Sequence, residues 1–106
     1  MKKHIEDFLE SYVKKITAIS ADVDAIILFG SQARDTAKLS SDVDIAIISS
    51  KTLADVRGAL REIAEDINDS ITVNLFFSSY ENLENPSDYF DTNYHIKREG
   101  VVLWQR

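Results

Sequence analysis

The feature that most restricts this chain is the short distance between two apolar runs. Ala25 to Phe29 form one run, closed by Gly30-Ser31, and Ile45 to Ile48 lie in the next, opened by Asp42-Val43-Asp44. Ten residues, Gln32 to Ser41, separate the two motifs. A parallel crossover needs about a dozen residues or more, usually with a full helix. The two strands are therefore expected to be antiparallel neighbours, with only a short helix after Ser31. The end of the first strand then lies beside the start of the second, and Gly30-Ser31 faces Asp42 and Asp44 across one edge of the sheet.

Successive strand residues alternate faces, so Asp42 and Asp44 share one side while Val43, Ile45 and Ile47 enter the core. Paired carboxylates repel each other, and at the opening of an apolar strand they are costly unless something positive meets them. A divalent cation between them answers both problems. Oxygen-only ligands suit magnesium or manganese, with phosphate oxygens and water completing the shell. Gly30 lets backbone approach a ligand closely, and the N–H groups that open the short helix are suited to phosphate. A DxD pair alone is a weak signal, since most such pairs form solvated turns or Asx caps. The upstream Gly-Ser at this spacing is what favours a site.

Elsewhere the apolar pattern supplies the remaining elements. Ile5, Phe8, Leu9, Tyr12, Val13, Ile16 and Ile19 recur at helical spacing. A second helix is expected over residues 53–67, with Leu53, Val56, Leu60, Ile63, Ala64 and Ile67 on one face and Thr52 as its cap, Asp55 lying three residues on. "ITVNLFF" reads as a third strand, "DYFDTNYHIKRE" as a last short helix and "GVVLW" as a final strand. The polar tract "SSYENLENPSD", with the only proline, Pro86, reads as one long connecting loop. The order α-β-(short α)-β-α-β-α-β predicts an α+β fold, a small mixed sheet with helices packed on it.

Charge and composition narrow the function. Eighteen acids against 12 bases give a net charge of -6, which repels a phosphate backbone and argues against an extended nucleic-acid groove. A basic protein partner suits the chain better. The absence of cysteine excludes disulfides and thiolate metal sites. Charges throughout "MKKHIEDFLESYVKK" exclude a signal peptide or membrane anchor there, and a cytoplasmic protein is expected.

Gly30-Ser31, ten intervening residues and Asp42-x-Asp44 together resemble the signature of the polymerase-β-like nucleotidyltransferase superfamily. The fuller "LFGSQAR…SSDVDIAI" and the ending "IKREGVVLW" are most similar to its smallest branch, the minimal nucleotidyltransferases. The resemblance implies one minimal domain over residues 1–106 with a polymerase-β-like core. It implies that Asp42 and Asp44 hold magnesium or manganese ions bridging the triphosphate of ATP, that Ser31 contacts the outer phosphates, and that Gly30 lets the turn pass close. Arg34 would stabilise phosphate charge or brace the short helix. Catalysis would follow the two-metal logic of in-line displacement at phosphorus. The resemblance further implies an antitoxin that transfers AMP from ATP to a tyrosine of a helical HEPN-type ribonuclease toxin. Alternatives are nucleotidyl transfer to a small molecule, or a catalytically silent module that neutralises its partner by contact.

Two positions depart from the family's pattern. Asp35 stands where glycine usually follows Ala-Arg, and Asn74 stands in the third strand where a third carboxylate is expected. Asn74 is placed in the catalytic set with Asp42 and Asp44. Its carbonyl can serve a cation, but it can neither act as a carboxylate base nor add negative charge. For other residues the plainer reading prevails. His4 and His95 lack a second ligand at metal spacing and read as surface or packing residues; Trp104, Tyr89, Phe90 and Tyr94 read as core; and Arg34 is as well placed to form a surface ion pair with an acid as to meet phosphate.

Overall fold

The computed structural model describes residues 2–34, 42–68 and 70–106. Their elements are α1 (Lys3–Ile19), β1 (Ala25–Phe29), α2 (Gly30–Ala33), β2 (Val43–Ile48), α3 (Arg57–Ile67), β3 (Val73–Ser78), α4 (Tyr80–Glu84), α5 (Thr92–Glu99) and β4 (Val101–Gln105). The strands form one mixed sheet in the order β3-β2-β1-β4. β1 is antiparallel to both neighbours, as the short β1–β2 connection requires, while β2 and β3 are parallel and joined through α3. The fold is α+β, a four-stranded sheet with helices packed on it.

The two sheet faces are covered by different helices. Ile26, Leu28, Val43, Ile45 and Ile47 share a core with Ile5, Phe8, Leu9, Tyr12 and Ile16 of α1 and with Leu60 and Ala64 of α3. Burial of each large apolar side chain here contributes about 1.5–3 kcal/mol. The Tyr12 hydroxyl donates to the Leu60 carbonyl at 2.8 Å, which ties α1 to α3, and burial pushes its phenol pKa up. On the other face Ala25, Ile27, Ala46 and Ile48 pack against Leu83 of α4 and Ile96 of α5. By strand alternation Asp44 belongs to this second face, ahead of the positions that the two helices cover. No helix among the described residues is long and apolar enough to cross a membrane.

Three expectations are corrected. The second long helix begins at Arg57, and Thr52 does not cap it. Leu53 takes a left-handed backbone, φ 57°, which turns its side chain inward and makes a helix start at that residue impossible. Its carbonyl accepts from the N–H groups of Val56 and Arg57, so residues 53–56 form a turn. The tract read as one long loop contains α4, whose Ser79 hydroxyl accepts from the Asn82 N–H and whose Leu83 is buried. Tyr89 and Phe90, read as core, are 63% and 86% exposed, because the last helix begins only at Thr92, capped by Asp91, and leaves both rings in the preceding turn.

Candidate functional site

β1 ends in a turn that side chains rarely tolerate. Gly30 has φ +74°, and a Cβ placed there would overlap Oδ2 of Asp44. The antiparallel register sets Phe29 opposite Asp44, so the glycine turn and the second carboxylate of the DxD pair meet at the end of the sheet. Close approach of backbone to carboxylate is therefore the reason for glycine at this position. Ser31 follows, half-buried, in the four-residue α2.

β3 brings the third residue. Its parallel register pairs Asn74 with Asp44. The Asn74 Nδ2 donates to Asp44 Oδ1 at 3.0 Å and to Asp42 Oδ2 at 3.2 Å. Ionised carboxylates only accept hydrogen bonds, so the NH₂ end of the amide must face them. Asp42 and Asn74 are exposed and Asp44 is half-buried. Asp42, Asp44 and Asn74 thus converge as the sequence predicts, with Gly30 packed against Asp44.

This arrangement fits a hard divalent cation. Two carboxylates that a single nitrogen can reach present oxygens to one small volume, the donors are oxygen, and the surface position leaves room for water and phosphate oxygens as further ligands. Among the described residues no group of three or more His, Cys, Asp or Glu side chains is gathered for a metal.

Arg34 follows α2, but its guanidinium is ion-paired with Glu99 at the end of α5, Nη1 to Oε2 3.1 Å. Glu99 is the Arg34 partner that sequence reasoning missed; 65 positions separate the two, and no local spacing connects them. Asp35 lies outside the described residues. His4 is exposed, and His95 packs against the rings of Tyr89 and Tyr94 at 5.7 and 5.3 Å, so neither is placed as a ligand. An apolar groove of about 360 Å³ lined by Leu9, Val13 and Leu103 lies between α1 and β4, on the side of the sheet away from Asp44.

The chain belongs to the polymerase beta nucleotidyltransferase family, which it matches over residues 11–106. Among solved structures it is similar to a toxin–antitoxin crystallised with AMP-PNP, at 25% identity and TM-score 0.68 over 92% of this chain and 73% of the other. It is also similar to a mutant of the toxin–antitoxin MntA-HpeT, at 21% identity and TM-score 0.68 with the same coverage of 92% and 73%. A candidate nucleotidyltransferase from Sulfolobus solfataricus matches at 18% identity and TM-score 0.56, over 100% of this chain and 90% of its own. The last two likenesses concern the fold alone. No curated protein sequence matches the chain.

Proposed function

We propose that the chain is a nucleotidyltransferase-type antitoxin that uses ATP and magnesium, or manganese, to transfer AMP to a tyrosine of a helical HEPN-type ribonuclease toxin. The observation that carries this reading is the convergence of Asp42 and Asp44 on Asn74, with Asp44 packed against the Gly30 turn, in a chain of nucleotidyltransferase family. Support for the pairing with a toxin, and for ATP, comes from the likeness to a toxin–antitoxin crystallised with AMP-PNP. The net charge of -6 suits a basic protein partner.

In this reading the tyrosine oxygen attacks the α-phosphorus of ATP. A new O–P bond forms as the bond from the α-phosphorus to the bridging oxygen of the β-phosphate breaks, and pyrophosphate leaves. A divalent ion bound with the nucleotide would offset negative charge on the triphosphate oxygens. Asp42 and Asp44 would hold that ion, Gly30 keeps the backbone clear of Asp44, and Ser31 would meet the outer phosphates. Asn74 cannot take the phenolic proton as a carboxylate would, so that proton leaves to solvent or to a base of the partner. The neutral Asn74 is also the observation that favours a second reading, in which the chain neutralises its partner by contact without chemistry.

Co-expression with the product of the neighbouring gene, followed by intact-mass analysis of that partner, tests the proposal. One or more adenylyl groups on a partner tyrosine, lost when Asp42→Ala is combined with Asp44→Ala, is the expected result. A stable complex with an unmodified partner supports contact alone, and no complex at all overturns both readings.

A further inference from the structure

Asn74 stands where a cation shared by Asp42 and Asp44 would have to sit. Its amide nitrogen donates one hydrogen to each carboxylate, at 3.2 and 3.0 Å, and so presents positive partial charge to both. We propose that Asn74 is an internal surrogate for the cation: the amide bridges the two aspartates when no ion is bound, and a divalent ion loads only as the amide releases them. The proposal rests on reading Asp42 and Asp44 as the cation site.

The orientation of the amide gives the idea its sign. With the NH₂ end turned to the carboxylates, the carbonyl end faces away and offers no ligand to an ion between them. Amide and ion are therefore competitors in this geometry. Nothing else among the described ion pairs serves the same purpose, since none of them joins a lysine or arginine to Asp42 or Asp44. The bridge is also well anchored at its base and free at its tip. The parallel register holds the Asn74 backbone opposite Asp44, while the exposed side chain has room to rotate. A free ion must break two charge-assisted hydrogen bonds to enter. An ion carried by a nucleoside triphosphate arrives with phosphate ligands that offset this cost, which favours loading of ion and nucleotide together.

The test is titration with Mn²⁺ alone, followed by calorimetry and by the paramagnetic resonance of the free ion, in the wild type, Asn74→Ala and Asn74→Val. Valine keeps a strong strand former in β3, so the fold is preserved in at least one variant. Both variants should bind Mn²⁺ at least about tenfold more tightly than the wild type, since losing even one competing hydrogen bond to a charged group is worth that factor. In chelator both should melt below the wild type, and saturating Mn²⁺ should remove that deficit. If Mn²⁺ affinity is unchanged or weaker in both variants, yet abolished by Asp42→Ala, the surrogate role is overturned and the cation site stands. If no chain binds Mn²⁺, both fall.

Discussion

Gly30 and Asp44 are fitted to each other: the left-handed glycine, φ +74°, leaves no space for a Cβ beside the Asp44 carboxylate. Gly30→Ala should therefore cost stability twice, through left-handed strain of about 1–2 kcal/mol and through displacement of Asp44. It should lower the melting temperature and weaken binding of ATP with magnesium. Gly58 is the control, because a Cβ there meets nothing within 4 Å, and Gly58→Ala in α3 should stabilise by about 0.4–1 kcal/mol. Paired thermal melts and ATP titrations of the two variants check both statements.

Arg34 and Glu99 form an ion pair at the border of the site, with Arg34 48% and Glu99 30% exposed at the side chain. Pairs this accessible contribute about 0–1 kcal/mol, so breaking it should barely move the melting temperature. Nucleotide affinity is the sensitive readout. Glu99→Gln releases the guanidinium and should tighten ATP binding if Arg34 meets phosphate, whereas Arg34→Ala should weaken it. Identical calorimetric affinities in both variants would assign Arg34 to bracing α2 against α5.

Asp91 caps α5. Backbone N–H groups of Ser87 and Asn93 donate to its carboxylate, joined by the Ser87 hydroxyl, and hold its pKa down from the ordinary 3.8 to about 2. A depressed pKa means that the folded chain favours the ionised form. The stabilisation is complete above about 3.8 and is lost as pH falls through about 2. Asp91→Ala should therefore melt below the wild type at neutral pH, with the gap narrowing across that window. Melting curves of the two proteins between pH 5 and about 2 read it directly.

Much of this was legible in the sequence where local pattern and chain length act alone. The alternation through Val43, Ile45 and Ile47 gave the buried face of β2, and the ten residues before Asp42 forced the antiparallel pairing that brings Gly30 to Asp44. Helical periodicity located α1 almost to its ends. What escaped depends on backbone or distance. Thr52 looked like a cap only while Leu53 was assumed helical, whereas Leu53 has a positive φ and a buried side chain in the turn before α3. α4 hides in a polar tract because Leu83 alone anchors it to the core. The position of Asn74 was legible from strand alternation, but its bridge to both aspartates follows from the β2–β3 register, which no local spacing encodes.

On the reading proposed above, Asp42 and Asp44 hold a divalent ion for a nucleoside triphosphate. Calorimetric titration of ATP, with magnesium and again in chelator, tests it most directly when the wild type is compared with Asp42→Ala combined with Asp44→Ala. The wild type should bind ATP more tightly with magnesium than without, and the double variant should lose this difference while retaining its melting temperature to within a few degrees. Equal, magnesium-independent ATP affinity in the two proteins would contradict it.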